Sequence, residues 1–376
     1  MGQSLGAHRE VQRQLATVNR SEERRVQPVL RPGRLPGTVD VELKVADELP
    51  LQGRVELNNE HAADTDPLRL TGSASYSNLF QRDHAISLTA SVAPRAPKQA
   101  QSAVLNYSIP RENGDTLIGY FAASNSTVET LGGTTVLGDG VTLGVRYVRP
   151  FPGPGGSYHS VSLGADLKRL NEQVSFADST VASTPLRYLP VQAAYNGNWS
   201  GDGGVTQLNA TLIAAMRKVL QRQVECPLAD GSVGVVDQFA CKRRNATGSF
   251  AALRVDLRHT ASFGWGALSA RLAGQLSTDL LPSGEQFALG GANSVRGYLE
   301  SESVGDLGAL ASVELRSLNL VPHLLGADGP RWLGNLMVLG FVDVGSTTLL
   351  EPLPGQQSRV PLLGSGVGLR LTTRPG

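Results

Sequence analysis

The sequence predicts an all-β chain folded as an antiparallel transmembrane β-barrel, and three observations carry that prediction. From Leu51 onward apolar and polar residues alternate with a period of two, as in a strand whose two faces meet different surroundings. The alternating segments run to about 9–11 residues, the length a tilted strand needs to cross a bilayer. No stretch approaches the roughly 18 consecutive apolar residues of a membrane-spanning helix. A membrane chain of this composition therefore has to satisfy its backbone as a closed barrel.

Composition points the same way and narrows function. The 376 residues include 43 glycines, and only 18% are charged, which favours strands and turns over long salt-bridged helices. A net charge of +1 gives no global electrostatic case for nucleic acid or acidic partners. Aromatics, at 5%, are thin for the interfacial girdles of such barrels. A soluble β-sandwich alternates too, but here the polar face mixes charges with Ser, Thr, Gln and Asn, as a wet lumen requires.

Residues 1–46 differ from the rest. Val11 to Val18 can form a short helix, followed by the charged run Arg20 to Arg25, and Pro36-Gly37 opens a strand over Thr38 to Val45. Helix then strand, with too few residues for a core of its own, predicts the tail of a small α/β domain. Residues 47–376 form the barrel, with about fourteen strands. Leu51 to Leu57, Ile86 to Val92, Val141 to Tyr147, Val161 to Leu167, Leu253 to Leu257 and Leu268 to Leu276 alternate most strictly. Turn chemistry separates strands at Asn113-Gly114-Asp115, Gly153-Pro154-Gly155-Gly156 and Gly201-Asp202-Gly203-Gly204.

Two cysteines, Cys226 and Cys241, share a loop-like segment of about Met216 to Arg244. A disulfide closing that segment fits an oxidising compartment, and two free thiols are the alternative. Metal binding has no ligand cluster at suitable spacing. Gly138-Asp139-Gly140-Val141-Thr142-Leu143-Gly144 lacks the glycine spacing and following helix of a phosphate loop, and the six histidines are scattered. Nothing calls for a cofactor, a metal or a catalytic nucleophile, so no enzyme is predicted.

The segment Thr278 to Asp306 contains Gln286-Phe287-Ala288-Leu289-Gly290-Gly291-Ala292-Asn293-Ser294-Val295-Arg296-Gly297-Tyr298. With its core Val295, Arg296, Gly297 and Tyr298, it resembles the signature loop of the Omp85 superfamily. More specifically it is similar to the two-partner secretion transporters of the haemolysin secretion/activation (ShlB/FhaC/HecB) family. Further residues carry the resemblance in order along the chain. Pro36 to Val45 resembles the closing strand of that family's last POTRA domain, and Asn106-Tyr107-Ser108-Ile109-Pro110 its fourth strand. Gly305-Asp306 with Glu314-Leu315-Arg316 resembles strand twelve, Phe341-Val342-Asp343-Val344-Gly345 strand thirteen, and Gly366-Val367-Gly368-Leu369-Arg370 strand fourteen.

The resemblance implies an outer-membrane pore that exports a large exoprotein client, of haemolysin or adhesin type, captured by the POTRA part in the periplasm. It implies a monomer in outer-membrane lipid, with no nucleic acid and no cofactor. Family barrels have sixteen strands, so the chain reads as a fragment missing both ends, and neither a signal peptide nor a plug helix is evident. A fourteen-strand sheet leaves two unpaired edges that lipid does not tolerate. In the family the long loop folds into the barrel and its arginine meets an inner-wall acid; carried over, Arg296 pairs with Asp343, with Glu314 the second choice. Arg296 then serves as a folding strut, or in the transport cycle, or both. Two other functions fit less of the sequence. A barrel-assembly insertase needs several POTRA domains upstream, and a soluble carbohydrate-binding or hydrolytic β-protein needs exposed aromatics or a carboxylate cleft.

Overall fold

A computed structural model describes residues 24–32, 39–63, 65–125, 128–131, 134–137, 139–170, 186–227, 232–326 and 332–373. The helix predicted at Val11 to Val18 and the turn at Pro36-Gly37 lie outside the described residues. Near the start, Arg24–Pro32 pairs with Val39–Asp47 as an antiparallel hairpin. The end of the predicted charged run, Arg24-Arg25, thus opens a strand.

The barrel strands follow as β1 (Leu51–Asn58), β2 (Arg69–Leu79), β3 (His84–Val92), β4 (Gln101–Pro110), β5 (Thr116–Asn125), β6 (Gly140–Pro152) and β7 (Tyr158–Leu170). Then come β8 (Val191–Gly201), β9 (Gly204–Ala215), β10 (Phe250–Phe263), β11 (Gly266–Ser277), β12 (Leu307–Ser317), β13 (Leu333–Thr348) and β14 (Arg359–Thr373). Among the described residues these fourteen lie in one antiparallel sheet in strict next-neighbour order, with β1 and β14 at its two edges. A short extra strand, Leu186–Tyr188, extends the sheet beside β7. Connections at one end are short turns, except that between β12 and β13, which carries the helix Val321–Leu325, and those at the other end are longer loops, as in outer-membrane barrels.

The period-two pattern sorts the faces. Leu57, Leu105, Leu143, Leu163, Leu212, Leu272, Val342 and Leu369 point outward and are exposed, Leu163 at 63% and Leu369 at 75%. A water-facing surface does not carry so continuous an apolar band; lipid does. The opposite face turns Tyr120, Arg146, Asp166, Arg254, Asp256, Arg271, Glu314 and Asp343 into the interior, where they bond one another.

Two features depart from the sequence expectations. The interior is not wet throughout: at the long-loop end Leu170, Leu186, Tyr188, Ile213, Phe239, Phe250, Leu280 and Leu281 form a buried apolar cluster. The alternation hides this because Leu170 sits on the opposite parity from Leu163 and Leu167, and the loops supply the rest. The few aromatics are also concentrated. Outward-facing groups at the short-turn end include Phe80, His84 and Tyr107; Phe151, His159, Tyr195 and Trp199; and Phe263 with Trp265. A sparse composition thus makes a girdle by gathering at one interface.

A loop folded into the barrel

The segment between β11 and β12 is the longest fully described connection, and it turns inward. Its first turn, Ser283–Glu285, is followed by a two-strand pair, Phe287–Leu289 with Ser303–Gly305. Leu289 and Val295, both fully buried, pack on Leu310 of β12 and Leu362 of β14, fixing the loop tip to that wall. Gly297 has φ +95, a left-handed conformation that a side chain resists. A side chain on Gly364 of β14 would run into the Arg296 carbonyl, so a glycine there lets the loop lie against the strand.

Arg296 crosses to β13. Its Nε and Nη2 donate to the Asp343 Oδ2 and Oδ1 at 2.7 and 2.8 Å, and its backbone N–H donates to Oδ2 at 3.1 Å. Nη1 reaches Glu314 Oε2 of β12 at 2.6 Å. Ser312 donates to Asp343 Oδ1 at 2.6 Å, and the guanidinium lies 3.6 Å over the Phe341 ring. Asp343 is fully buried. A planar, permanently charged fork suits this arrangement, because it satisfies one carboxylate bidentately and still reaches a second. Both acids named from the sequence meet Arg296, where the sequence ranked one above the other. Tyr298 shares its hydroxyl with the Leu363 backbone at 3.3 Å.

Sequence reasoning missed a second set of anchors. Glu285, 1% exposed, accepts from Lys168 Nζ at 2.5 Å, Tyr188 Oη at 3.0 Å and Arg254 Nη2 at 3.1 Å. Complete burial works against its charge, yet Lys168 and Arg254 outweigh this and hold its pKa below the usual carboxylate range. Asp306, fully buried, faces the Arg243 guanidinium, with Nη2 to Oδ2 at 2.6 Å, and accepts from the Leu281 and Leu350 N–H groups at 3.0 and 2.7 Å. One carboxylate therefore joins the cysteine loop, the inward loop and the β13–β14 loop. The only sequence signal was Asp306 itself in the Gly305-Asp306 pair.

The cysteine loop packs into the apolar cluster at the long-loop end. Cys226 and Cys241 are bonded as a disulfide. Cys226 sits in the first strand of the hairpin Gln223–Pro227 with Val233–Asp237, which leads into a short helix, Gln238–Lys242, that carries Cys241. Phe239 of that helix is 3% exposed within the apolar cluster. Among the described residues of this loop, the large apolar side chains standing in the open are Met216, Val219, Val233 and Val235.

A third interior group lies on the far wall, where Arg146 grips Asp166 bidentately at 2.6 and 2.8 Å and Tyr120 donates to the same carboxylate. Between the inward loop and the strands remains a cavity of about 800 Å³, faced by Arg254, Arg258 and Arg271 on one side and Glu60 and Glu300 on the other. The Glu300 N–H donates to the His61 carbonyl at 2.9 Å, so the loop reaches the β1–β2 connection as well. Among the described residues no cluster of His, Cys, Asp or Glu is arranged to hold a metal ion.

Three comparisons bear on this architecture. The family model described as "Haemolysin secretion/activation protein ShlB/FhaC/HecB" matches residues 37–371. Compared with curated protein sequences, the chain matches none. Among solved structures it is similar to CdiB from Escherichia coli at TM-score 0.71 and 18% identity, over 97% of this chain and 64% of that one. BamA from Haemophilus ducreyi lacking POTRA domains 1–3 superposes at TM-score 0.58 with 11% identity, over 95% of this chain and 71% of that one. CdiB from Acinetobacter baumannii does so at 0.54 with 18% identity, over 93% and 59%. The chain thus spans less than two thirds of either CdiB, and at these identities the likeness is one of fold.

Proposed function

The chain belongs to the haemolysin secretion/activation family ShlB/FhaC/HecB, and from that premise we propose that this outer-membrane β-barrel exports a large partner protein from periplasm to cell surface. Residues 1–46 are assigned to the end of a periplasmic POTRA domain and 47–376 to the barrel. The hairpin strand Val39–Asp47 supports this, because it leads into β1 at the short-turn end. The client is bound first by the POTRA part, by strand addition to a sheet edge, and then passes the lumen as an extended chain or hairpin. The barrel works as a monomer and performs no covalent chemistry.

The observation that carries the proposal is the inward loop held by Arg296 on Asp343. A pore that is to pass a polypeptide has to be closed when idle, and a loop tip whose ionic anchor is one arginine can let go of the wall without unfolding a strand. The anchor thereby serves both as strut and as latch. The test compares secretion by Asp343→Asn and Arg370→Gln, the latter an exposed lumen arginine of β14 without a role in the anchor. Secretion, or assembly of the barrel, should fall in the first and persist in the second. Equal secretion from both at equal barrel levels would overturn the assignment. The likeness to BamA, at 11% identity, gives an insertase no support of its own.

A further inference from the structure

The outward face of β7 reads, from the short-turn end, His159, Val161, Leu163, Ala165, Leu167, Arg169. The first residue belongs to the aromatic girdle; the next four are apolar and meet lipid. Ten residues of tilted strand separate His159 from Arg169, about 25 Å along the barrel axis, the height of the apolar band in such barrels. Arg169 therefore stands where hydrocarbon gives way to headgroups on the long-loop side.

Directly opposite Arg169, in register, is Arg187 of the short strand Leu186–Tyr188. The neighbours of the two arginines, Leu170, Leu186 and Tyr188, are buried inward in the apolar cluster, so both arginines share the outer, exposed face. Like charges directly opposed across a strand pair repel, with Cβ atoms about 5 Å apart. Among the described residues neither arginine is held in an ion pair. The polypeptide nonetheless fixes the pair firmly. The Gln238 side chain accepts from the Arg187 N–H at 3.0 Å, donates to the Arg187 carbonyl at 2.8 Å, and donates to the Leu220 carbonyl at 2.8 Å. The Gln238 N–H donates to the Arg222 carbonyl at 3.0 Å, so the backbone of a third exposed arginine is tied to the same glutamine.

We infer that Arg169 and Arg187, with Arg222, form a binding site for the phosphate groups of an anionic lipid in the outer leaflet. Two guanidinium forks on one face match a phosphomonoester geometrically, and bound phosphate removes the repulsion that the register imposes. A lipid headgroup is favoured over a soluble anion because the pair looks outward over Leu167 and Leu163, along the hydrocarbon boundary and away from the lumen. The inference rests on the barrel and its orientation, not on export.

The test uses the natural full-length protein extracted from outer membranes and placed in phosphatidylcholine micelles. Lipid A, dephosphorylated lipid A and inorganic phosphate are titrated against three proteins: unaltered, Arg169→Gln/Arg187→Gln, and Arg149→Gln. Arg149 is an exposed cation at the short-turn end of the outward face of β6. Phosphorylated lipid A should raise the melting temperature of the unaltered and Arg149→Gln proteins, and bind the double variant about 30-fold more weakly, as two interfacial charges imply. Equal binding by the double variant, or an equal response to dephosphorylated lipid A or inorganic phosphate, would overturn the site. Secretion measured in the same cells separates the two readings, since loss of export with lipid binding intact leaves this site standing.

Discussion

The inward loop is held at two depths by charge pairs of opposite sense. At mid-barrel the loop supplies the cation, Arg296, and the wall supplies the acids Asp343 and Glu314. At the long-loop end the loop supplies the acids, Glu285 and Asp306, and its surroundings supply Lys168, Arg254 and Arg243. The outer contacts are embedded in an apolar cluster shared by four connections, whereas the inner one is a single side chain laid across two strands. The difference teaches where a closed pore can yield. Releasing Arg296 frees side-chain contacts to two strands, while releasing Asp306 strips backbone donors in two loops at once.

Breaking this comparison at its strongest point should cost most. Asp343→Asn leaves a partly buried guanidinium short of its bidentate partner, a loss of about 3–5 kcal/mol for a buried pair; barrel recovery and heat-modifiable migration on a gel should both decline. Asp306→Asn comes next. It should loosen the cap while leaving the Arg296 anchor in place, so conductance across planar bilayers should rise and secretion should continue. Reduced conductance, or secretion lost as completely as in Asp343→Asn, would show that the two depths act as one unit. Replacing Cys226 and Cys241 together by serine opens a loop of sequence separation 15, worth about 3 kcal/mol in the chain-entropy account. Phe239 should still hold the segment, giving faster protease cutting near the hairpin tip with export preserved.

The smallest effect separates the acids by pH. Glu285 has a lowered pKa, so its contribution is complete above the ordinary carboxylate range and is lost only as pH falls through its still lower folded value. Glu300 has the reverse sign: burial, with the charge of Glu60, raises its pKa, so its ionisation costs stability near neutrality and acidification relieves that cost. Between pH 7 and 5 the melting temperature should drift upward. Glu300→Gln should flatten the drift, and Glu285→Gln should lower the whole curve while keeping its slope.

Much of this was readable in the residues, and what was not has a physical cause. Strands such as Val141 to Tyr147 and Val161 to Leu167 declare themselves because pleating puts alternate side chains on opposite faces. Arg296, Asp343 and Glu314 were nameable because the motifs around them are dense and ordered. Glu285 and Lys168 are 117 residues apart, and Arg243 and Asp306 are 63 apart; in sequence each is one charge among many on a polar face. Only the fold decides which meet. The disulfide stood open against free thiols because spacing alone gives no geometry. The aromatic count likewise says nothing of placement, and placement proved to be what mattered.

That lopsided placement has a consequence for how the barrel meets membranes of differing thickness. Stacked rings such as Phe151, His159 and Tyr195 peg one rim at a fixed depth, since moving them into hydrocarbon or water is costly on either side. Among the described residues the opposite rim carries long, flexible cations such as Arg169 and Arg187, and these can extend or fold back to follow the surface. A change in bilayer thickness should therefore be taken up almost entirely at the outward rim, with the inner rim staying level.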